Sequence, residues 1–386
     1  MTTSKLYYED AYIKNFNASV LSCEFSNGVY KIILDRTAFF PEGGGQKADV
    51  GFIGDAEVFD VREIDGKIIH YTEIPLETGS EYECKINWQL RFSRMQNHSG
   101  EHIVSGIVHK VFGYDNVGFH MDDDCVTVDF NGELNREQLD FVENSANFTV
   151  YNNYKIICRF PEKNELDLLD YRSKLELTEN VRLVEIENTD LCACCAPHVG
   201  RTGEIGVIKI LDFMRHRGGV RLVMKCGETA LLDYRTKYYS IHELSGLLSA
   251  KQDEVTDYVR ALMSELDSVR KDFHDFKMSV AENDRENLVS VGECAFFITE
   301  CYDSDMMRDL VNFGVSHHKI CAVFSGNDES GYSYIIGSSV LDMRKFAKTV
   351  NDSLCGRGGG KDTMIQGKVT ANKKQIADFI GSLSFE

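Results

Sequence analysis

The sequence lacks an apolar leader and any run of eighteen apolar residues: Met1 to Asp10 mixes Lys5, Glu9 and Asp10 with tyrosines. Neither a secretory signal nor a membrane-spanning helix is expected, and the reading at this stage is a soluble protein of the cytoplasm. Basic charge is also short, with 42 Lys and Arg against 61 Asp and Glu and a net charge of -19. That balance favours solubility and argues against indiscriminate nucleic-acid binding, while leaving room for a local basic site. Only four prolines occur, none between 229 and 285, and after Gly246 that stretch has no glycine either. It can therefore form long uninterrupted helix.

At 386 residues the chain has material for two to three domains. Its twelve cysteines are scattered over a long chain without an export signal, so reduced thiols are expected rather than a disulfide framework. Cys192, Cys194 and Cys195 form a crowded trio and stand apart as metal candidates.

The first ninety residues read as β structure. Leu21, Cys23 and Phe25 alternate, Asn27-Gly28 is a hairpin turn, and Tyr30, Ile32 and Leu34 alternate on the return strand; Asp65-Gly66 separates a second such pair. Between them lies Thr37-Ala-Phe-Phe-Pro-Glu-Gly-Gly-Gly-Gln46, whose glycines allow positive φ and close backbone approach. From Met95 the period becomes helical, with Ile103, Val104, Ile107, Val108 and Val111, and Gly113 is a fitting stop. Strand character returns in Arg182-Leu-Val-Glu-Ile and Ile205-Gly-Val-Ile-Lys-Ile, on either side of the cysteine cluster. Val255, Val259, Leu262, Leu266, Val269, Phe273 and Phe276 then alternate in steps of four and three, a heptad seam. In the last hundred residues, Ala295-Phe-Phe-Ile and Ile320-Cys-Ala-Val-Phe read as buried strands, Met306 to Phe313 as a helix, and Gly356-Arg-Gly-Gly-Gly-Lys361 as a glycine loop.

His98 and His102 stand one turn apart on one helical face, and Cys194 and His198 repeat the four-residue spacing about ninety residues later. Three imidazoles and one thiolate make a full tetrahedral set for zinc. Cys192 and Cys195 are near alternatives to Cys194. The helical pair resembles the zincin pattern, but Glu101 adjoins the second histidine and not the first, so a protease base is out of place. Four protein ligands suit a structural ion, and a catalytic one would keep a position for water; spacing does not decide between them.

These motifs resemble the editing module of alanyl-tRNA synthetase and its free-standing relatives, the AlaX trans-editing proteins. The resemblance is carried by Thr37 to Gln46 with Asp49 and Gly51, by His98-x3-His102, by Cys194-x3-His198-Val199, and by Thr202-Gly-Glu-Ile-Gly206. The segment Gly356 to Lys361, with Gln366-Gly367, is similar to the glycine signature of the synthetase's DHH-associated terminal domain, which suggests the long AlaX form. Departures there are Ile365, Lys368 and Asp362. The resemblance implies deacylation of tRNA(Ala) mischarged chiefly with serine, and also with glycine. It implies one zinc ion per chain on His98, His102, Cys194 and His198, and a zinc-associated water with no protein nucleophile. Thr37 and Gln46, with Gly43, Gly44 and Gly45 between them, would face the aminoacyl group. Because the chain starts at the barrel, with no room for an ATP site, editing without aminoacylation is expected.

Two basic patches offer tRNA contacts. Arg215-His-Arg217-Gly-Gly-Val-Arg221 follows the cysteine segment, and Met343 to Lys374 carries eight Lys and Arg against two Asp, with Arg357 and Lys361 in its glycine run. The expected architecture is α+β: a small antiparallel barrel over residues 1–90, a zinc-binding α+β editing domain over 91–228, a coiled-coil-like helical linker over 229–285 and an α/β domain over 286–386. A homodimer through the linker or the last domain is expected. The competing readings are a deacylase of threonyl type and a non-enzymatic tRNA-binding protein with structural zinc.

Overall fold

The turn dipeptides set the first sheet. In the computed structural model, which describes residues 3–173 and 181–383, Asn27 and Gly28 take φ of 55° and 87°, and Asp65 and Gly66 take 51° and 74°. Both central residues of each turn are left-handed, the twist that closes a two-residue hairpin. The first turn joins β1 (Asn15–Ser26) to β2 (Val29–Leu34). β3 (Gly51–Ile53) precedes the second hairpin, between β4 (Ala56–Ile64) and β5 (Lys67–Thr72), and β6 (Glu81–Ile86) completes the set. The pairings run β1-β2-β5-β4-β3-β6 and return to β1, a closed ring around Ile32, Leu34, Ile53, Val58, Val61 and Ile68.

Asn87 caps the next element by accepting from the Leu90 amide, and α1 (Trp88–Phe112) runs to Gly113, whose φ of 70° ends it. The helix thus begins before Met95, because Trp88 and Phe92 add to its apolar face where the sequence period is still faint. It lies on a four-stranded sheet built from β7 (Asn116–Met121), β8 (Val126–Phe130) and two strands from later in the chain. After α2 (Arg136–Tyr151) come β9 (Ile156–Arg159), β10 (Leu183–Ile186) and β11 (Asp190–Ala193), a three-stranded antiparallel sheet. β12 (Ile208–His216) and β13 (Gly219–Cys226) complete the larger sheet in the order β12-β13-β8-β7. Ile103, Val104, Ile107 and Val108 of α1 share one core with Val126, Val128, Leu222 and Met224. Each such buried side chain contributes about 1.5–3 kcal/mol.

The helical linker is built of two helices, α3 (Glu228–Leu248) and α4 (Val255–Asn283), because Ser249 takes a φ of 50° that no helix continues. Chain contacts divide the molecule into two units, residues 1–243 and 244–386. In the second unit β14 (Val289–Val291), β15 (Cys294–Thr299), α5 (Ser304–Val315), β16 (Ile320–Asn327), β17 (Gly331–Ser338), α6 (Met343–Ser353), β18 (Gly356–Gly360), β19 (Met364–Val369) and α7 (Lys373–Gly381) follow in turn. They form a sheet of order β14-β15-β16-β17-β19-β18, in which only β15 and β16 run parallel. Alternation along β16 serves two cores: Ile320, Ala322 and Phe324 face α6 and α7, while Cys321 and Val323 face α5.

The glycine run at 356–360, read as a loop, is the edge strand β18. A Cβ on Gly358 would lie 2.2 Å from the Tyr334 hydroxyl, and one on Gly360 would lie 2.3 Å from the Met364 carbonyl. Glycine is required there for space and not for left-handed backbone.

In the ring of β1–β6, His70 is fully buried. Its Nδ1 lies 3.1 Å from the Ile32 carbonyl, which can only accept, so Nε2 takes the hydrogen bond of the Thr37 hydroxyl at 2.8 Å. Burial pushes the His70 pKa from 6.5 down to about 4. An unfolded chain binds this proton from pH 6.5 downward and the folded chain does not until about pH 4. The contribution of neutral His70 is therefore complete above 6.5 and lost as the pH falls through that window, about 3 kcal/mol in all. Thermal melts between about pH 4 and pH 7 should show a shallower acid decline for His70→Gln than for the wild type, and equal slopes would refute the assignment.

Candidate metal centre and the cavity above it

The i, i+4 spacing on α1 stacks His98 over His102, with ring centroids 5.4 Å apart. β11 delivers the chain after Ala193 to the same place, and His198 comes within 4.8 Å of the His98 ring and 4.7 Å of the His102 ring. One ligand atom from each of His98, His102, Cys194 and His198 falls within a group whose members are all within 4.8 Å of one another. The Cys194 sulfur is 3.5 Å from His98 Nε2 and 3.4 Å from His198 Nε2.

What turns these rings is the partner on each Nδ1. His98 Nδ1 meets Gln46 Oε1 at 2.9 Å, His102 Nδ1 meets Asp190 Oδ2 at 3.1 Å, and His198 Nδ1 meets Ser99 Oγ at 3.0 Å. The amide oxygen and the carboxylate only accept, so the proton of His98 and His102 sits on Nδ1 and the Nε2 lone pair faces inward. Ser99 Oγ also accepts from the Val199 amide at 3.2 Å, so the hydroxyl that holds the His198 ring is itself anchored to the backbone beside it. Oriented imidazoles of this kind are what a transition-metal ion requires.

Electrostatics agrees. Burial, helped by the neighbouring His102 and His98, holds His198 well below the usual histidine range, so it stays neutral. Burial pushes the Cys194 thiol well above its ordinary value, with Cys195 adding to the effect, so an ion entering here must expel that proton. Burial alone would raise Asp190, but bonds from His102 and Arg172 outweigh it and hold the carboxyl below the carboxylate range. Arg172 reaches Asp190 with Nε at 2.7 Å and Nη2 at 2.8 Å. Cys192 lies with His102 and Asp190 in a second group. The salt bridge already commits that carboxylate, so the first group is the better donor set.

The glycine tip lies beside these donors. Gly43 and Gln46 exchange two backbone hydrogen bonds, and Gly44 and Gly45 between them take φ of 60° and 83°. A Cβ on Gly45 would lie 2.4 Å from the Phe119 ring, which leans on the His98 ring at 4.9 Å. Gln46 is fully buried and its Nε2 has no partner among the described residues. A buried donor left without an acceptor is costly. Behind the tip, Asp49 forms a buried ion pair with Arg91 of α1, both its oxygens 2.9 Å from Arg91 Nε, and Arg91 also bonds the Ala38 and Ala11 carbonyls. This pair fastens the loop to the helix that carries two of the donors.

A cavity of about 560 Å³ opens over the cluster, lined by Gly44, Gly45, His98, Glu101, His102, Phe119 and Cys194, with Tyr8, Phe160 and Arg182 further round its wall. Glu101 is buried and accepts from Ser105 and Asn116, each at 2.5 Å. Cys195 lines the wall as well. Thr37, Gly43 and Gln46 are not among the lining residues, and the Thr37 hydroxyl donates to His70 and accepts from the Phe39 amide at 3.1 Å. Arg221 is engaged by Asp129 through two bonds of 2.6 and 2.7 Å, whereas Arg217, on the β12–β13 turn, and Arg357 and Lys361, at the β18 edge, are exposed. Sequence reasoning missed Ser99, Asp190, Arg91 and Arg182, which have no motif spacing of their own. The faint signal for Asp190 was an acid just ahead of the cysteine trio.

Cobalt(II) titration tests the donor set. The wild type should develop a near-ultraviolet sulfur-to-metal band that Cys194→Ser abolishes. Asp190→Asn should keep the band and bind about 10- to 100-fold more weakly in competition with a chelator. A band unchanged in Cys194→Ser would point to a neighbouring cysteine.

Residues 181–223 match the family model described as the threonyl and alanyl tRNA synthetase second additional domain, and residues 2–90 match that of class II (A) tRNA synthetases. Among curated proteins, the alanyl-tRNA editing protein AlaX-L of Pyrococcus horikoshii is 28% identical over 97% of this chain and 96% of its own length. The alanine–tRNA ligase of Ignicoccus hospitalis is 28% identical over 99% of this chain and 43% of the ligase, and that of Halobacterium salinarum is 30% identical over 87% and 38%. The chain thus spans about two fifths of the length of those ligases. A solved C-Ala domain of Aquifex aeolicus alanyl-tRNA synthetase aligns with 25% of the chain and 98% of that domain, at 18% identity and a TM-score of 0.21, too slight a likeness to carry an argument. Matched nearly end to end by an AlaX-L protein and over most of its length by the alanine–tRNA ligases, the chain is similar throughout to the long-form AlaX proteins.

Proposed function

We propose that this protein hydrolyses the ester that joins a wrong amino acid, chiefly serine and secondarily glycine, to the 3′ adenosine of tRNA(Ala). The observation that carries the reading is the meeting of the glycine tip with the four-donor cluster at one cavity. The relatives that match nearly the whole chain bear names for alanyl-tRNA editing and for alanine–tRNA ligation, which supports the same substrate class.

His98, His102, Cys194 and His198 would hold one zinc ion, which when bound supplies positive charge to stabilise the developing oxyanion. The remaining work falls to the chain itself. Gln46 orients His98 through its oxygen and keeps its Nε2 donor for the substrate. Gly44 and Gly45 allow close approach of the aminoacyl group, since side chains there would occupy the space beside Cys195 and against Phe119. An aminoacyl ester is already activated, so a positioned water suffices and no acyl-enzyme forms. Polar groups satisfied by the serine hydroxyl are left unpaired by alanine, which rejects the correct product. Thr37, turned toward His70, acts by fixing the loop ahead of the tip. Arg217, Arg357 and Lys361 are the exposed cations assigned to the tRNA backbone, and Arg221 ties β13 to β8 through Asp129.

A homodimer through α4 completes the proposal. Val259, Leu262, Leu266, Val269, Phe273 and Phe276 are 37% to 63% exposed along one stripe. Glu265 and Asp272 flank it on one side and Arg270 and Lys277 on the other. In a parallel pair of α4 helices Glu265 faces Arg270 and Asp272 faces Lys277 of the second copy, whereas an antiparallel pair sets like charges together.

Metal-replete protein should deacylate Ser-tRNA(Ala) well above the uncatalysed rate, spare Ala-tRNA(Ala), and lose the activity to a chelator. His98→Ala should abolish it with the fold retained. Equal rates on serine-charged tRNA(Thr) would reassign the substrate, and no hydrolysis of any aminoacyl-tRNA would leave a tRNA-binding protein with structural zinc. Light scattering should give twice the 43.7 kDa chain mass, reduced to the monomer by Leu262→Asp with Val269→Asp; a monomeric wild type would discard the dimer.

A further inference from the structure

The cavity over the metal cluster has a wall that the ester chemistry does not use. If the scissile ester lies at the four donors, the terminal ribose and base must extend away from them toward the cavity mouth. Three aromatic side chains line the cavity: Tyr8, Phe119 and Phe160. Phe119 is committed at the floor, leaning on His98 with Gly45 hard against it. Tyr8 is braced by cations, with the Arg182 guanidinium 5.3 Å and the Lys5 ammonium 5.8 Å from its ring centroid, and the guanidinium is itself held by the carbonyls of Cys194 and Ala196 at 2.9 and 2.8 Å. Tyr8 in turn meets Phe160 edge to face, 5.4 Å between centroids at 76°. An edge-to-face contact can cover at most one face of Phe160, and among the described residues Phe160 is 51% exposed although it follows directly on a strand.

A half-exposed phenylalanine braced by a tyrosine, which is braced by an arginine fixed to the backbone of the metal-binding loop, is a shelf held in register with the donors. We propose that Phe160, supported by Tyr8 and Arg182, stacks the 3′-terminal purine base of the RNA and so sets the distance from base to ester. Base-on-aromatic stacking suits such a surface because it needs a rigid ring with one open face and an adjacent cation. Phe160 is thus a substrate-binding residue, and Arg182 a positioning residue that links the base shelf to the Cys194 loop. The identity of the RNA rests on the deacylase reading above; the shelf itself is tested separately.

Two measurements on the full chain test it. With Ser-tRNA(Ala), Phe160→Ala should raise KM about tenfold, the loss expected for one stacked base, with kcat little changed, and Phe160→Tyr should restore KM. With an uncharged CCA-ended minihelix carrying 2-aminopurine in place of the terminal adenine, binding to the wild type and to Phe160→Tyr should quench the fluorescence, and binding to Phe160→Ala should not. Matching melting curves exclude a folding defect at this exposed position. An unchanged KM and an undiminished quench in Phe160→Ala overturn the shelf. A wild type that quenches yet hydrolyses no aminoacyl ester sinks the deacylase reading and leaves the shelf standing.

Discussion

The structure depends on bringing three imidazoles and one thiol to a single buried point without letting any ring turn away. Each histidine has its outer nitrogen engaged by a different element: Gln46 from the glycine loop, Asp190 from β11, and Ser99 from the helix that also carries the other two rings. The loop, helix and sheet must therefore keep their relative positions to within the tolerance of a hydrogen bond. The buried Arg91–Asp49 pair serves that need. Removing either partner would strand a charge in the core, so the pair holds loop and helix in one arrangement more surely than apolar contact alone.

Local rules made a large part of this legible from sequence. Asn27-Gly28 and Asp65-Gly66 specify hairpins because left-handed backbone is affordable only to such residues, and the structure uses both. The four-residue histidine spacing sets two donors on one helical face wherever that helix packs. What stayed hidden depends on tertiary space. Asp190 and Ser99 matter because of where β11 and α1 come to rest, which no spacing encodes. The start of α1 at Trp88 escaped notice because its first turns face the core with aromatic residues rather than an aliphatic repeat. The run at Gly356 misled for a related reason: glycine signals freedom in a sequence, and here it signals a neighbour too close for any side chain.

Charge follows the same division between whole and part. A chain of net charge -19 is a poor general ligand for RNA. Yet many of its acids are spent on its own cations, as in Asp129 with Arg221, Asp190 with Arg172 and Glu143 with Lys209. These basic groups are consequently scaffold. A nucleic-acid partner would be steered by the exposed remainder rather than by the chain's total.

The separation of the donor pairs along the chain also bears on synthesis. At about 5–20 residues per second, the helix bearing His98 and His102 leaves the ribosome several seconds before Cys194 and His198 are made. Two imidazoles on a nascent helix hold an ion weakly, and the loop that orients one of them still waits for its own sheet partners. Any capture of an ion would therefore follow completion of the fold, and a truncated or misfolded chain would compete poorly for it.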